Sequence, residues 1–329
     1  MMTPHPDGKA LLLIDINVLG IGSMHEYEYK GWSHGGREVG AIHGAFTKLS
    51  RLLGKHRDKI PVVLWDDRCH WREEILPQYK RHRWDTPEQQ AFLKSYLAQA
   101  EVIRAQLTNL GIPQAFCPNF EADDIVGLIC RNLNADWQIT LATTDTDWYQ
   151  ALRRNVVWES TRTDEVVTEA DLGNESMVKG GPFVSTDHFI QAKALAGDPS
   201  DGIPGVRGVG LKTAAKIIKE HGTIEALWAK HDALEPLKGV VLQRTAGPEY
   251  RDIYYRNLKL VDWRLSPPLG QDFRLEFEPS DFDALNKMST KWGLEDTLES
   301  WQGYSLPRER ASVALNEIRA ILEAASSGF

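Results

Sequence analysis

The sequence predicts an α/β fold in which helices flank a mostly parallel central sheet. Short, continuous apolar runs, typical of strands buried on both faces, alternate with longer segments of helical periodicity. Three of these runs are followed within three positions by acidic residues, among them Asp15, Asp66 and Asp145. Because open α/β sheets bind ligands at the carboxyl ends of their strands, these acids are expected to share one site.

Length and composition set the class of protein. The 329 residues are 42% hydrophobic and 26% charged, which is ordinary for a soluble protein with one large or two modest domains. The net charge of -8 argues at first against a nucleic-acid partner, but a site built from many carboxylates would by itself give that sign.

The cysteine count and the apolar runs predict a cytoplasmic protein. Three cysteines, without metal-ligand spacing, favour free thiols in a reducing compartment. No apolar run approaches the roughly 20 residues that a membrane span needs. Residues 1–9 are polar and do not resemble a signal peptide. We therefore expect no membrane partner.

The first two predicted strands each end in acid. Residues 10–14 lead into Asp15, and residues 60–65 lead into Asp66 and Asp67, with a helix predicted between them over 39–56. For Asp15 alone, a polar residue that merely ends a strand is an equally good interpretation. The repetition favours two strand ends that face one site.

A basic and aromatic segment follows, over residues 71–84. Lys80 and Arg83 are three positions apart, so on a helix they would share a face, close to Tyr79. Cations beside aromatic rings suit a strand of phosphates with splayed bases, although a solvated charged helix explains the segment equally well. An amphipathic helix is predicted over residues 88–110.

Three carboxylates in four positions, Glu121, Asp123 and Asp124, precede another apolar run. A helix N-terminus stabilises an anion by typically less than about 1 kcal/mol, whereas Mg²⁺ is held by carboxylates and water. A solvated acidic helix cap is the alternative. Glu121 and Asp124 share a helical face, and Asp123 points elsewhere unless Glu121 precedes the first turn.

The next predicted strand, residues 137–142, also ends in acid. If the chain stays extended, alternation places Asp145 and Asp147 on the same side. A helix is predicted from about Trp148, and the strand-like residues 156–158 and 166–167 are expected to close the sheet.

A glycine-rich stretch precedes a predicted helix that begins near Leu211. Glycines allow close backbone approach, and Lys212 and Lys216 add charge on one helical face. The pattern predicts a helix-hairpin-helix that grips a duplex backbone without reading sequence. A phosphate-binding P-loop would need Gly immediately before Lys212, where Leu211 stands. A plain glycine-rich connection remains the alternative.

Six motifs occur in order: 14–15, 65–66, 76–83, 121–124, 144–147 and 193–214. Together they resemble the flap endonuclease and 5'-3' exonuclease family, which includes the stand-alone bacteriophage 5'-nucleases and the 5'-nuclease domain of DNA polymerase I. The resemblance implies a PIN-like (Rossmann-like) catalytic domain over 1–190 with a helical arch at about 70–110. It also implies a helix-hairpin-helix duplex-binding region over 191–260 and a C-terminal helical extension over 261–329.

The resemblance also implies the site residues. The metal ligands for two Mg²⁺ or Mn²⁺ ions would be Asp15, Asp66, Glu121, Asp123, Asp124, Asp145, Asp147, Asp198 and Asp201. Lys80 and Arg83 would be catalytic cations at the scissile phosphate. The DNA-binding residues would be Arg72, Tyr79, Lys80, Arg83, Lys193, Gly205, Gly208, Gly210, Lys212, Thr213 and Lys216. A K⁺ ion at the hairpin is implied as well.

The implied function is that of a structure-specific 5' nuclease acting on DNA flaps, nicks or frayed 5' ends, or on RNA–DNA hybrids, in replication or repair. Such a protein is expected to be monomeric, with any polymerase or single-strand-binding partner on a separate chain. A catalytically weak DNA-junction binder and a PIN-type ribonuclease are the alternatives. The sequence departs from the family pattern at Ile16, where the family usually has glycine, and at Gly202, where relatives often have asparagine. Asp67 directly follows Asp66 and is the alternative ligand there, although the strand-end position favours Asp66.

Overall fold

A seven-stranded sheet forms the centre of the molecule. The computed structural model describes residues 9–26, 30–233, 236–270, 272–299, 301, 306 and 308–326, so most of the segment tested for a signal peptide lies outside the described residues. The sheet order is β11-β5-β4-β1-β6-β7-β8. The strands are β1 (Ala10–Asp15), β2 (Ser33–His34), β3 (Arg37–Glu38), β4 (Ile60–Leu64), β5 (Gln114–Phe116), β6 (Gln138–Thr143), β7 (Val156–Ser160), β8 (Val166–Val167), β9 (Gly197–Asp198), β10 (Ile203–Pro204) and β11 (Arg274–Glu276).

Helices cover both faces of this sheet. They are α1 (Ile16–His25), α2 (Gly40–Lys55), α3 (His70–Ile75), α4 (Pro87–Asn109), α5 (Ala122–Asn132), α6 (Thr186–Ala196), α7 (Leu211–His221), α8 (Ile224–Asp232), α9 (Val240–Ala246), α10 (Pro248–Val261), α11 (Phe282–Trp292), α12 (Glu295–Glu299) and α13 (Arg308–Ser326). Short 3-10 helices span Arg81–Arg83, Thr146–Ala151, Glu169–Gly173, Pro199–Asp201 and Trp263–Leu265. Within the described part of the chain, no helix has both the length and the apolar character needed to span a bilayer.

The predicted fold class is confirmed. The five inner strands β5, β4, β1, β6 and β7 pair in parallel, and the edge strands β11 and β8 are antiparallel. All six residues of β1 are buried, as a continuous apolar run in a parallel strand predicts. Two hydrophobic cores lie on either side of the sheet, one built on α5 and α6 and the other on α1 and α2.

The arch segment differs from the helix that the spacing suggested. Lys80 lies in the left-handed region with φ +52, and only a single 3-10 turn follows it before α4 begins. Lys80 and Arg83 therefore do not share the face of one continuous helix. Both nevertheless reach the same cavity, because the turn itself directs them there.

The segment after β6 also turns earlier than predicted. Asp145 caps a 3-10 helix that begins at Thr146, so Asp145 and Asp147 are not on one side of an extended chain. The Asp145 side chain instead accepts a hydrogen bond from the backbone N–H of Asp147 at 2.8 Å. This turn, rather than strand alternation, brings the two carboxylates together.

Residues beyond 261 complete the sheet and its cover. β11 pairs with β5, with Leu275 opposite Ala115. Helix α13 packs against α5 and buries Ala311, Ala314 and Ile318. The C-terminal segment is thus part of the same body as the sheet.

Candidate active site

One acidic cavity of about 770 Å³ lies at the carboxyl ends of β1, β4 and β6. Eight carboxylates and four cations line it. The acids are Asp15, Asp66, Glu121, Asp123, Asp145, Asp147, Asp198 and Asp201, and the cations are Lys80, Arg83, Lys179 and Lys193. The acids come from both halves of the chain, so the fold brings together residues almost two hundred positions apart.

Two of these acids follow neighbouring strands. Asp15 is the last residue of β1 and caps α1, accepting hydrogen bonds from Val18 N–H at 3.1 Å and from the Thr143 hydroxyl at 3.0 Å. Asp66 follows β4 and accepts a hydrogen bond from Ala122 N–H at 2.7 Å. Each carboxylate is thereby fixed by neutral donors alone.

Asp123 and Asp145 are held in the same way. Glu121 is the N-cap of α5, which leaves Asp123 free to turn toward the cavity from the first helical turn. Its carboxylate accepts a hydrogen bond from Trp148 Nε1–H at 2.7 Å. Among the described residues, neither these two acids nor Asp15 and Asp66 form an ion pair.

The unpaired state of these four acids raises their pKa values. Burial and the nearby Asp66 raise the pKa of Asp15 to about 7, and burial and Asp147 raise the pKa of Asp145 to about 8. Burial also raises the pKa of Asp66, with Glu121 adding to it, and that of Asp123, with Asp145 adding to it. Neighbouring like charges disfavour one another, so a cation would stabilise the ionised forms of these four acids.

The other four cavity acids are neutralised by cations of the chain. Lys80 Nζ lies 2.6 Å from a Glu121 oxygen, and Arg83 lies 2.7 Å from Asp201. Lys193 contacts Asp147 and lies 2.6 Å from Asp198. The cavity acids therefore form two sets, four with an ion pair and four without one among the described residues.

The pKa of Glu121 shows the effect of this pairing. Its burial raises the pKa, but Lys80 and Arg72 more than offset that and lower it to about 2. Glu121 is therefore ionised at neutral pH although it is 5% exposed. The ion pairs of these acids hold the arch segment, through Lys80 and Arg83, and helix α6, through Lys193, against the cavity.

The donor set fits divalent cations such as Mg²⁺. All eight acidic ligand candidates are carboxylates, the hard oxygen donors that this ion prefers. In the described part of the chain, no three His, Cys, Asp or Glu side chains are close enough to hold an ion as they stand. Binding would therefore draw the four unpaired acids closer together.

Asp124, which was predicted to be a metal ligand, instead lies in a buried ion pair. Arg72 Nη1 and Nη2 donate to its two oxygens at 2.8 and 2.7 Å, and the Ser266 hydroxyl donates to it at 2.6 Å. Asp124 is 1% exposed and does not line the cavity. It supports Glu121 instead, through a hydrogen bond accepted from Glu121 N–H at 3.1 Å.

Arg72 and Tyr79, which were predicted to bind DNA, are likewise buried and bonded to other residues of the protein. Arg72 is 2% exposed and also donates to the Leu260 carbonyl at 3.1 Å, so it cannot reach DNA. Tyr79 is buried, and its hydroxyl donates to Glu121 at 2.8 Å rather than presenting a ring to bases. Both residues position Glu121 from beneath the cavity.

Lys193 also differs from its predicted role. The side chain lines the cavity but is mostly buried, and two acids surround its ammonium group. Those acids raise its pKa well above the ordinary lysine value although burial opposes them. Its charge serves the cavity wall rather than an open DNA surface.

The hairpin connects β10 to α7. A Cβ on Gly205 would lie 2.0 Å from the Ala196 carbonyl oxygen, so only glycine fits there, and Gly208 has φ +82. Gly210 caps α7, and Thr213 lies exposed in its first turn. Gly205 is thus needed for close backbone packing, and Gly208 for the left-handed turn.

The predicted cations on α7 have carboxylate neighbours. Lys212 contacts Glu175, and Lys216 lies 3.9 Å from Glu220, with both lysine side chains largely exposed. Exposed pairs of this kind contribute little to stability, so both ammonium groups remain accessible to a ligand.

Two polar residues of the cavity, Asn17 and Lys179, were not predicted from the sequence. Asn17 hydrogen-bonds with the Tyr96 hydroxyl and lines the cavity beside Asp66. Its place two residues after Asp15 was the available signal. Lys179 is exposed on the loop before α6 and had no motif to mark it.

Family models match most of the chain. Residues 10–177 match the 5'-3' exonuclease N-terminal resolvase-like domain, and residues 184–274 match the 5'-3' exonuclease C-terminal SAM fold. The boundary between these matches lies close to the predicted one at 190, although the three-part division itself stays a prediction.

Similar proteins and structures agree with these matches. A 5'-3' exonuclease of Streptomyces coelicolor is 31% identical over 80% of this chain and 89% of its own length. The thermostable DNA polymerase I of Thermus thermophilus is 30% identical over 82% of this chain, which spans only 30% of that longer relative.

Solved structures share the fold. A T5 5'-exonuclease with bound zinc has a TM-score of 0.63 at 21% identity, covering 96% of this chain and 99% of its own. Flap endonuclease-1 from Methanococcus jannaschii has a TM-score of 0.56 at 17% identity, covering 96% and 93%. With its motifs, its fold and its cavity in agreement, the chain belongs to the 5'-3' exonuclease family.

Proposed function

We propose that this protein is a structure-specific 5' nuclease that hydrolyses DNA phosphodiesters with two divalent cations bound in the acidic cavity. The observation that carries the proposal is a set of four cavity carboxylates that form no ion pair among the described residues: Asp15, which is buried, the half-buried Asp123 and Asp145, and the exposed Asp66. Family membership supports hydrolysis, and the relatives crystallised with metal ions or DNA support the choice of cofactor and substrate.

The four unpaired acids would hold the cations. The paired acids would join them as ligands where their ion pairs with Lys80, Arg83 and Lys193 break. When bound, two such ions supply charge stabilisation for the attacking and leaving oxygens and lower the pKa of water. Mg²⁺ and Mn²⁺ both suit carboxylate oxygen ligands. Neutral hydrogen-bond donors orient Asp15 and Asp123, so neither carboxylate needs to leave a protein cation before it binds a metal.

Lys80 and Arg83 would act at the scissile phosphate. Both line the cavity and present their charges toward Glu121 and Asp201. A phosphodiester entering the cavity would compete with those carboxylates for the same donors. Cations held in place before the reaction stabilise a transition state at little cost in reorganisation.

The hairpin would hold the duplex part of the substrate beside the cavity. Gly210 and Leu211 at the start of α7 line the same cavity as the acids, so a strand bound at the hairpin would lead directly into it. Such a contact would fix the backbone without reading sequence. A K⁺ ion at the hairpin, and action on RNA–DNA hybrids, remain predictions from the resemblance.

The family relation also suggests a cellular role. Relatives include DNA polymerase I proteins, of which this chain spans about a third, and a 5'-3' exonuclease of similar length. We propose a role in replication or repair, in the cytoplasm, as a monomer that works with a polymerase or single-strand-binding protein on a separate chain.

A side-by-side digestion tests this function. We expect 5'-labelled flap DNA to be cut in Mg²⁺ and to stay intact in EDTA, with a blunt duplex cut from its 5' end. Flap binding without cleavage in Mg²⁺ would identify a junction-binding protein. Cleavage of single-stranded RNA with flap DNA left intact would identify a PIN-type ribonuclease.

A further inference from the structure

A cation outside the predicted set lies against the hairpin. Arg244, in the last turn of α9, donates from Nη1 to the Arg207 carbonyl oxygen at 2.6 Å. That nitrogen is also 3.5 Å from where a Cβ on Gly208 would stand, so the guanidinium covers the left-handed turn of the hairpin. A residue 37 positions away thereby becomes part of the hairpin surface.

The neighbouring residues fix Arg244 in this place. Thr245 and Ala246 are fully buried, and the Thr245 carbonyl accepts a hydrogen bond from Trp228 Nε1–H at 3.2 Å. Helix α9 is therefore anchored by the residues immediately after Arg244. A guanidinium mounted on an anchored helix loses less entropy on binding than one on a free surface chain.

The charge of Arg244 is not neutralised by its partner. A carbonyl oxygen is uncharged, and among the described residues Arg244 forms no ion pair with a carboxylate. The two lysines of α7 differ, because Lys212 contacts Glu175 and Lys216 lies near Glu220. Arg244 therefore has more available charge than either lysine of α7, as does the exposed Arg207 of the hairpin, which also forms no ion pair among the described residues.

Helix α10 holds the other side of the hairpin through hydrogen bonds. Asn257 is fully buried and donates to the carbonyls of Ala194 and Pro204, each at 2.9 Å. The backbone on both sides of Gly205 is thus held by donors from α9 and α10. With the loop rigid at both ends, a charge placed on it has a defined position relative to a bound strand.

We propose that Arg244 is a phosphate contact for the duplex, held on the hairpin by the Arg207 carbonyl. One of its five N–H donors is used by that carbonyl, which leaves donors and the full charge for a phosphate oxygen. This inference rests on the proposed function, since it assigns a further residue to the same duplex surface. It predicts that Arg244 matters more for binding than Lys212 or Lys216.

The test uses two variants and a matched control, all in the full chain. Arg244→Gln keeps an amide that can donate to the Arg207 carbonyl but removes the charge, and Arg244→Met removes both. Arg251→Gln is the control, because it removes one positive charge from the adjacent helix where Asp232 already pairs with it. The dissociation constant for a nicked duplex is measured by fluorescence anisotropy in EDTA between about 50 and 200 mM salt.

We expect both Arg244 variants to bind about tenfold more weakly, the size of one lost charge-assisted hydrogen bond. Their slope of log affinity against log salt should be smaller by about 0.9, and Arg251→Gln should match the wild type. In turnover, KM should rise more than kcat falls.

Three outcomes overturn the inference. If Arg244→Gln keeps the wild-type slope and affinity while Arg244→Met loses affinity, Arg244 only shapes the loop. If all variants bind like the wild type, Arg244 has no part in binding. A wild-type protein that binds no duplex overturns the proposed function together with this inference, whereas unchanged variants of a duplex-binding protein overturn this inference alone.

Discussion

Two sets of cavity acids use the same residue types in opposite ways. The first set, which we call the sheet wall, comprises Asp15, Asp66, Asp123 and Asp145; neutral donors orient these acids, and their pKa values are raised. The second set, Glu121, Asp147, Asp198 and Asp201, is paired with Lys80, Arg83 and Lys193. The difference separates acids that await an added cation from acids that hold the surrounding segments in place.

The largest expected effect concerns the sheet wall. Asp145→Asn or Asp123→Asn should lower turnover of flap DNA by about a thousandfold or more, because a misplaced metal forfeits several kcal/mol of transition-state stabilisation. Duplex binding in EDTA should largely survive. The measurement is single-turnover cleavage in Mg²⁺ beside anisotropy. Cleavage by either variant at the wild-type rate would show that the unpaired acids are not the metal ligands.

The paired acid Asp124 gives the next effect, on stability. Arg72→Met leaves Asp124 buried without its cation, while Lys80 still pairs with Glu121, and should lower the free energy of unfolding by about 3 kcal/mol. Arg68→Met is the matched control, because the Arg68–Glu73 pair is exposed and should contribute less than about 1 kcal/mol. Urea unfolding measures both.

The opposite result would revise the site. If Arg72→Met unfolds like the wild type and loses only DNA affinity, then Arg72 is a DNA contact, as its position in the arch segment first suggested. The double variant Arg72→Met with Asp124→Leu should recover part of the lost stability, since it removes the unpaired charge along with its partner.

The raised pKa values of Asp15 and Asp145 predict how the stability of the protein depends on pH. The folded protein holds protons on Asp15 up to about pH 7 and on Asp145 up to about pH 8, whereas in the unfolded chain both carboxyl groups have the ordinary aspartate pKa of 3.8. The folded state therefore binds more protons, and the metal-free protein should become less stable as pH rises from about 5 to 8, with no further loss from these groups above the folded pKa values. Glu121 is largely ionised in both states throughout this range.

Thermal unfolding in EDTA measures this slope, and adding Mg²⁺ should flatten it by favouring the ionised acids. Asp145→Asn should flatten it as well, without metal. A melting temperature that rises over this pH range in EDTA would contradict the assignment of raised pKa values to the sheet wall.

The smallest effect belongs to the exposed lysines of α7. Lys212→Ala should weaken duplex binding a few-fold at every sequence and lower the salt slope by somewhat less than one contact, because Glu175 already offsets part of the charge. Glu175→Gln should tighten binding slightly. An unchanged salt slope in both variants would remove α7 from the duplex surface.

Much of the sheet wall was predictable from the sequence. Asp15, Asp66 and Asp145 follow apolar runs, and in a parallel sheet such strand ends meet at one edge. The pairing of Asp124 was not predictable, because its partner Arg72 is 52 positions away and nothing in the local spacing distinguishes a buried ion pair from a metal ligand.

The turns account for most of the remaining differences. Lys80 adopts a left-handed conformation that neither its residue type nor its spacing from Arg83 predicts. Asp145 begins a 3-10 turn where alternation suggested an extended chain. Arg244 carries no motif, and only the packing of α9 shows that it touches the hairpin.

The pairing of β11 with β5 has a practical consequence for shortened versions of the protein. The matched C-terminal family segment ends at residue 274, whereas β11 spans Arg274–Glu276 and covers the open side of β5. A fragment cut at that boundary would expose unpaired N–H and C=O groups along Gln114–Phe116, the kind of free edge that recruits strands from other molecules. Such a fragment should aggregate although every acid of the cavity is still present.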